Sequence, residues 1–427
     1  MLFKTNTYTL LLIASLLLLV SCHKNDAPDD PVLPDGADRT VLVYMAAQNS
    51  LGGGNYHHKD SLEIMNGHKS IPMGGRVLMF IDDQYAPRLY EVMCNTDRPR
   101  LVKRWDKDIC STDPATLTEV LTYVKQHFES REYGLVMWSH ADGWLPPTNT
   151  AYPQSVRRSS LLSFGIDNGT NGKWSDVGPQ MDVADMASAI AEAGIHCKFI
   201  FFDACLMQNL EVDYALRHVT DYVVASPMAT PGNGSYYAHD IQSGLFSEDP
   251  SDLARTYLED VQSPSLSADY SDFGLSISCI RTDALEPLAQ ALRDALPHST
   301  AMNRASADLS DVLHYQAYTR RYALRPHNYD ARQALRAILP AEDFLRVSAA
   351  LDAAVVYHGS SPTFWIGPGD FDYQYVPVST DDYRSVSLFI PQTVYTTNAS
   401  ATTHGDLNEA FRQTEWYRDA GWAQTGW

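Results

Sequence analysis

Continuous apolar runs alternate with helical patterns over the first half of the chain. The runs are uninterrupted, which is typical of strands buried on both faces of a parallel sheet. They predict strands at residues 41–47, 76–81, 133–138, 198–202 and 222–225. Strand and helix repeated in this order predict an α/β fold with a doubly wound, mostly parallel central sheet.

Helices are predicted between these strands. Asp113 followed by Pro114 is typical of an N-cap and the first position of a helix, and the next apolar residues fall on one helical face. Two further helices are predicted over residues 180–193 and 206–219. The later part of the chain adds predicted strands over 274–280 and 385–390 and a helix from Asp283.

The N-terminus has the pattern of a targeting segment. The apolar run over residues 10–20 is too short to span a bilayer and suits a signal peptide. The run ends in Leu-Val-Ser-Cys, which resembles a bacterial lipobox, so cleavage after residue 21 would free Cys22 to carry lipid. The alternative is an ordinary signal peptide with an incidental cysteine. We expect an exported protein that is lipid-anchored to the bacterial outer membrane, with the cell surface as a candidate location.

Four segments follow from these patterns. Residues 1–21 are interpreted as the signal peptide, and residues 22–38, which are rich in Pro and Asp, as a lipidated flexible tether. Residues 39–284 are assigned to the core. Residues 285–427 are assigned to a C-terminal region that packs on the core.

Composition narrows the classes of function. The chain has 427 residues and a formal net charge of −20, and a surface this negative repels a phosphate backbone, which argues against a nucleic-acid partner.

The chain has 6 cysteines. With Cys22 assigned to lipid, an odd number remains, so at least one thiol is unpaired within the chain and becomes a candidate reactive group.

Two of the predicted strands run into residues that could perform chemistry. The strand at 133–138 leads into Ser139 and His140, and the strand at 198–202 leads into Asp203 and Cys205. If these strands are parallel neighbours, both ends lie at the edge of the sheet where α/β proteins bind ligands. A predicted helix directly after Cys205 would lower the pKa of its thiol. A cysteine and a histidine together suffice for covalent acyl transfer.

Each of these residues also has a purely structural interpretation. A cysteine after an apolar strand is often a small core residue, and a histidine at a strand end is often a hydrogen-bonded polar residue. Ser139 is a poor nucleophile candidate beside His140, because adjacent residues on a strand point to opposite faces.

The two motifs resemble those of the clostripain family of cysteine peptidases, which has a caspase-like fold. The resemblance rests on Trp-Ser-His at 138–140 with Gly-Trp after it, and on Phe-Asp-Ala-Cys-Leu-Met at 202–207 with Glu211. Weaker similarities extend it over residues 39–422. The fold class implied is a caspase-like α/β/α sandwich with additional C-terminal elements.

The resemblance implies a cysteine endopeptidase that acts on a protein or peptide substrate through a Cys/His dyad. Cys205 corresponds to the nucleophile and His140 to the acid/base. Backbone N–H groups of Cys205 and of Ala141, in the turn after the histidine, would hold the oxyanion. Asp203 corresponds to an acid in the pocket for the residue before the cut, so the resemblance implies cleavage after Arg or Lys.

Two departures from the family pattern define an alternative function. Ala141 stands where the family usually has glycine, and alanine tolerates a positive φ poorly. The loop that contains Asn233, which we assign to substrate binding, lacks the family's usual acidic residues. The alternative is a catalytically weak surface lipoprotein that binds peptides or a partner protein.

Other motifs have less specific interpretations. Arg157 and Arg158 are a candidate self-cleavage site by resemblance, or a solvated dibasic pair. Calcium is a candidate cofactor by resemblance only, because residues 167–172 fail the EF-hand pattern and predict a turn; no metal site is predicted. Residues 52–54, three glycines, lack both the Rossmann and the P-loop pattern, and we interpret them as a flexible loop.

Overall fold

A computed structural model describes most of the chain after the predicted tether. The segment Gly36–Trp427 forms one compact unit. Cys22, Arg157 and Arg158 lie outside the described residues. Within the part of the chain that is described, no helix is long and apolar enough to cross a membrane. The described residues are 36–145, 163–169, 174, 176, 178–263, 265–266, 273–320, 323–368, 373–378, 381–397 and 405–427.

The strands are numbered in chain order. They are β1 Ala37–Ala46, β2 Gly75–Asp82, β3 Arg88–Val92, β4 Arg100–Arg104, β5 Ser130–Trp138, β6 Ala141–Gly143, β7 Ser163–Phe164, β8 Met181–Asp182, β9 Cys197–Asp203, β10 Tyr222–Ala225, β11 Ser276–Arg281, β12 His314–Arg320, β13 Ala323–Asp330, β14 Val355–Ser360, β15 Thr363–Pro368, β16 Tyr373–Pro377 and β17 Ser387–Leu388.

The α-helices are numbered in the same way. They are α1 Ser50–Gly53, α2 Tyr56–Gly67, α3 Pro114–His127, α4 Val183–Ala193, α5 Leu210–Leu216, α6 Tyr237–Ser243, α7 Ser251–Gln262, α8 Leu285–Ala295, α9 Ala331–Ile338, α10 Ala341–Ala354, α11 Thr393–Thr397, α12 Leu407–Arg412 and α13 Glu415–Asp419.

A nine-stranded sheet forms the centre of the molecule. Its strand order is β14-β11-β10-β9-β5-β1-β2-β3-β4. The five strands from β10 to β2 are parallel, and two antiparallel strands follow at each edge. The predicted mostly parallel sheet is confirmed, and each of the five predicted central strands lies in it within a few residues of its expected bounds.

The apolar runs are continuous because both faces of the sheet are covered. In β1, Val43 and Met45 face a layer that includes α2, α6 and α7, and Leu42 and Tyr44 face the opposite layer, which includes α3 and α4. Alternate side chains of one strand therefore belong to two separate apolar clusters. This arrangement is the predicted α/β/α sandwich.

Helix boundaries follow local capping. The carboxylate of Asp113 accepts a hydrogen bond from the backbone N–H of Ala115 at 2.9 Å, and Pro114 is the first helical residue of α3, as predicted. The helix predicted over 206–219 is wrong at its start, because α5 begins at Leu210. Leu206 has a φ of 63°, a left-handed conformation that a helix cannot continue through.

The region after Leu285 contributes to both the sheet and the layers. Strand β14 joins the main sheet beside β11. The backbone N–H of Phe389 donates to the buried carboxyl of Glu211 on α5 at 3.0 Å. Burial raises the pKa of Glu211 to about 8, so this carboxyl is mostly neutral at pH 7. The boundary between core and C-terminal region stays a prediction.

Candidate active site

Strand register brings the two sequence motifs together. Strands β5 and β9 are parallel neighbours, and Trp138 pairs with Asp203. His140 lies two residues beyond Trp138, and Cys205 lies two residues beyond Asp203. Both residues therefore leave the sheet at the same level of its carboxyl edge, on adjacent strands about 5 Å apart.

His140 is held on one side by a hydroxyl and a carboxylate. Its Nε2 lies 2.9 Å from Oγ of Ser50, at the start of α1, and 3.3 Å from Oδ1 of Asp176. The hydrogen bond with His140 is the largest of the effects that lower the pKa of Asp176, to about 2. This side chain is therefore an ionised carboxylate over the whole range in which histidine titrates.

The thiol of Cys205 is hydrogen-bonded to the loop after β10. Its Sγ accepts from the backbone N–H of Thr230 at 3.3 Å and lies 3.6 Å from the Thr230 hydroxyl. Burial raises the pKa of the Cys205 thiol, and the bonds from Thr230 offset this only in part. The expectation that a helix N-terminus lowers this pKa is wrong, because α5 begins at Leu210 rather than directly after the cysteine.

A left-handed leucine follows the cysteine and fixes the direction of the chain. The backbone N–H of Leu206 donates to the carbonyl of Met228 at 2.9 Å, and that of Gln208 donates to the carbonyl of Ser226 at 3.0 Å. These bonds attach the segment after Cys205 to the loop after β10. Sequence patterns do not indicate this conformation, since leucine is rarely left-handed.

Asp203 is a buried carboxyl whose hydrogen-bond partners among the described residues are neutral. It is 4% exposed, and its two oxygens accept from the Tyr237 hydroxyl at 2.9 Å and from the backbone N–H of Ser235 at 3.2 Å. Burial raises the pKa of Asp203 to about 7, and the two neutral donors lower it only partly. A carboxyl in this state would gain from a cation placed beside it.

The turn over Asp203 requires glycine. Gly234 has a φ of 63°, and a Cβ at this position would lie 2.5 Å from Oδ2 of Asp203. The turn closes through a hydrogen bond from the Gly234 N–H to the carbonyl of Pro231 at 3.0 Å. Asn233 is half-buried in the same turn. The loop that resembles the family therefore covers the residue expected to contact the substrate.

Further buried acids lie around Asp203. The indole N–H of Trp138 donates to the carboxyl of Asp60 at 2.7 Å, and the backbone N–H of Tyr237 donates to Glu63 at 3.2 Å. Burial is the main cause that raises the pKa of Asp60 well above its usual value and that of Glu63 to about 7; the charge of Asp203 adds to both. Asp60 and Glu63 on α2 are therefore close enough to interact electrostatically with Asp203, although the loop after β10 lacks acidic residues.

Those two acids could have been found from spacing. Asp60, Glu63 and Ile64 recur at intervals of three and four, so they share one face of α2, and Ile64 is fully buried. A helix face that combines acids with a buried apolar residue indicates carboxyls in the interior. Asp176 had no such signal, because it lies in no periodic segment.

Ala141 does not need the conformation of glycine. It pairs with Phe164 as part of β6, and its backbone is not left-handed. The positive φ in this turn is that of Gly143, at 66°, where a Cβ would lie 2.4 Å from the carbonyl oxygen of Leu206. The alanine is therefore compatible with the backbone of this turn.

No metal site is found among the described residues. No group of three or more His, Cys, Asp or Glu side chains within them could hold a metal ion. Asp167, in the turn that was compared with a calcium loop, instead accepts from the backbone N–H and hydroxyl of Ser111 at 2.6 and 2.9 Å. Its other oxygen accepts from the N–H of Gly169 at 2.9 Å, as in a turn.

Comparison with solved structures identifies similar folds. A secreted C11 cysteine protease from Bacteroides thetaiotaomicron, solved with an irreversible peptide inhibitor, is 26% identical with a TM-score of 0.73, over 90% of this chain and 99% of that one. An inactive zymogen C11 protease from Parabacteroides distasonis is 26% identical with a TM-score of 0.71, over 91% and 99%. A search of curated protein sequences finds no match.

The family model of clostripain peptidases matches residues 43–425. This match includes both strand-end motifs and the region after Leu285. The similar structures are cysteine proteases of the same kind and share the caspase-like sandwich. The chain therefore belongs to the clostripain family of cysteine peptidases and is a cysteine-type endopeptidase.

Proposed function

We propose that the chain cleaves peptide bonds after Arg or Lys through a dyad of Cys205 and His140. The observation that carries this proposal is the register of β5 and β9, which pairs Trp138 with Asp203 and so presents the two residues from adjacent strands. Membership of the peptidase family favours this function over the binding-protein alternative.

The chemistry needs only these two side chains and two backbone donors. The Cys205 sulfur bonds to the scissile carbonyl carbon, and the carbonyl electron pair moves onto oxygen, where the N–H groups of Cys205 and Ala141 stabilise it. The C–N bond then breaks, and His140 gives its proton to the leaving amine. Water then attacks the thioester carbon and gives a proton to His140, the C–S bond breaks to release the carboxylic acid product, and the proton on His140 restores the thiol.

Burial of the thiol affects how the nucleophile forms. Because burial raises the pKa of Cys205, the thiol is not a preformed thiolate at neutral pH. We infer that His140 removes the proton as substrate enters, so the histidine acts first as base and then as acid. Activity should therefore depend on His140 as strongly as on Cys205.

We propose that Asp203 binds the side chain of the substrate Arg or Lys before the scissile bond. Its carboxyl is buried, is hydrogen-bonded to neutral donors and has other acids nearby. A guanidinium or ammonium group beside it would favour the ionised form and lower its pKa from about 7. A bound Arg or Lys side chain would then offset part of the free-energy cost of the buried charge on Asp203. A neutral substrate residue would not offset it.

The test uses residues 23–427, since Gly36–Trp427 forms one compact unit. Peptides that differ only in Arg, Lys, Met or Asp before the cut are digested with calcium and with chelator, and the cuts are mapped by mass spectrometry. Cys205→Ala and His140→Ala should abolish cleavage, and Cys94→Ala, a half-exposed thiol elsewhere, is the matched control. Full activity in Cys205→Ala would refute the dyad, and equal rates for Arg and Met would refute the basic specificity.

We also propose that the protein is exported and anchored by lipid on Cys22, and that it cleaves itself after Arg157 or Arg158. The lipobox resemblance supports the anchor, and the dibasic pair between the two catalytic motifs supports self-cleavage. Labelling with a radioactive fatty acid should be lost in Cys22→Ala. A cleaved product should form in the parent and be absent from both Cys205→Ala and an Arg157→Ala/Arg158→Ala double variant.

A further inference from the structure

The side of His140 that faces Ser50 carries an arrangement the dyad does not use. The Ser50 hydroxyl donates to Oδ2 of Asp176 at 3.0 Å, and the Ser50 backbone N–H donates to Oδ1 at 3.0 Å. Nε2 of His140 contacts both partners, at 2.9 Å from the Ser50 oxygen and 3.3 Å from Oδ1. Two polar groups from separate parts of the chain thus meet at one ring nitrogen of His140.

The hydrogen-bond roles at this nitrogen are determined by its neighbours. An ionised carboxylate only accepts, and the Ser50 hydroxyl has already directed its proton to Asp176. Nε2 therefore has two acceptors and no donor, so it carries the proton. In the neutral ring the lone pair is then on Nδ1, which becomes the nitrogen that can receive a proton from a thiol.

An aromatic ring close to Asp176 in the sequence packs on the helix that begins at Ser50. The indole of Trp174, two residues before Asp176, lies over α1, and a Cβ added to Gly53 would be 2.6 Å from Cγ of that ring. A Cβ on Gly52 would be 3.1 Å from the same indole. The interpretation of this glycine run as a flexible loop is wrong: residues 50–53 form a helical turn, and its glycines make room for the tryptophan.

Charge gives this arrangement a role in the reaction. Asp176 remains ionised wherever the enzyme would work, since its pKa is about 2. When the thiol proton reaches the ring, His140 becomes a cation, and a fixed carboxylate on its far side stabilises that cation. The acid is 47% exposed, so we expect a smaller effect than that of a fully buried partner.

We propose that Asp176, seated by Ser50 and Trp174, is a positioning residue that sets the tautomer and orientation of His140. It acts through the histidine and does not contact the substrate. This inference rests on the proposed function of His140 as the acid/base. It extends the dyad to a relay of carboxylate, histidine and thiol in which the serine hydroxyl bridges the first two members.

The test measures kcat and KM on one Arg peptide in the full-length protein, together with the rate at which iodoacetamide alkylates Cys205. Asp176→Asn should lower kcat and the alkylation rate about 10- to 100-fold, with KM within about twofold of the parent. Asp176→Glu should restore part of kcat. The matched control is Asp97→Asn, an exposed carboxyl between β3 and β4, which should leave all three quantities unchanged.

A second variant keeps the proposal falsifiable if loss of the charge disturbs folding. Trp174→Ala leaves His140, Ser50 and Asp176 in the chain but removes the packing of the indole on α1. This variant should also lower kcat without raising KM. If His140→Ala is inactive while Asp176→Asn and Trp174→Ala keep the parent kcat, the positioning role is refuted and the dyad stands. If His140→Ala itself stays active, the proposed function is refuted first.

Discussion

Asp203→Asn isolates the effect of a buried charge at the end of β9. Asparagine has the shape of the protonated acid: its Oδ1 can accept from the Ser235 N–H and its amide N–H can donate to the Tyr237 hydroxyl oxygen, while the titration is removed. Because burial raises the pKa of Asp203 from 3.8 to about 7, the folded chain keeps a proton that the unfolded chain releases between these values. Its contribution to stability is complete below pH 3.8 and is lost as the pH rises through 7.

The size of the effect follows from the two pKa values. A difference of about 3 corresponds to about 4 kcal/mol, at about 1.4 kcal/mol for each unit of pKa. The part that falls between pH 5 and pH 8 is about 2–3 kcal/mol, because the folded acid is almost fully protonated at pH 5 and almost fully ionised at pH 8. The asparagine variant does not lose this stability.

The assay is urea unfolding followed by tryptophan fluorescence at pH 5 and pH 8. Both proteins carry Cys205→Ala, which prevents self-digestion, and Asp97→Asn serves as an exposed control. The free energy of unfolding of the Asp203→Asn variant, relative to its parent, should rise by about 2–3 kcal/mol from pH 5 to pH 8. A constant difference between the two proteins across this range would refute the reasoning, since the carboxyl would then titrate normally.

Three further predictions concern the turn over Asp203, the hydrogen bond to Asp60 and the cap of α3. Gly234→Ala should destabilise the fold by about 1–3 kcal/mol and raise KM for Arg peptides, because φ is positive and the new Cβ meets Asp203; an unchanged melting temperature and KM would contradict it. Trp138→Phe should cost about 1–3 kcal/mol in urea unfolding, because it removes the donor to the buried Asp60; equal midpoints would count against that bond. Asp113→Ala should lower stability by about 1 kcal/mol through loss of the α3 cap, and circular dichroism melts that coincide with the parent would exclude this.

The central sheet was predictable because its central strands are buried on both faces. Strands β1, β5 and β9 are buried on both faces over their carboxyl-terminal residues, so these residues are nearly all apolar, and the carboxyl edge then marks where polar residues reappear. His140 and Cys205 stood out for that reason. The order of the strands was not readable, because it depends on contacts between segments far apart in the chain.

The predictions that failed depended on contacts that no local pattern encodes. The start of α5 was misplaced because Leu206 is left-handed and its N–H bonds to Met228 across the site, which outweighs the apolar periodicity of residues 206–219. Residues 52–54 looked flexible because their partner, Trp174, is far away in sequence. Asp176 gave no signal because it lies in no periodic segment and its partners, Ser50 and His140, are far away in sequence.

Strand β14 has a consequence for the order in which the protein can fold. It is the edge strand that covers β11 in the main sheet, where Ser360 pairs with Ser276. Until residues 355–360 leave the ribosome, β11 presents an unpaired edge, which is a template for association with other chains. Truncation before Val355 should therefore yield aggregates rather than a smaller soluble enzyme, and the last steps of folding should be slow, because they wait for a contact between distant segments.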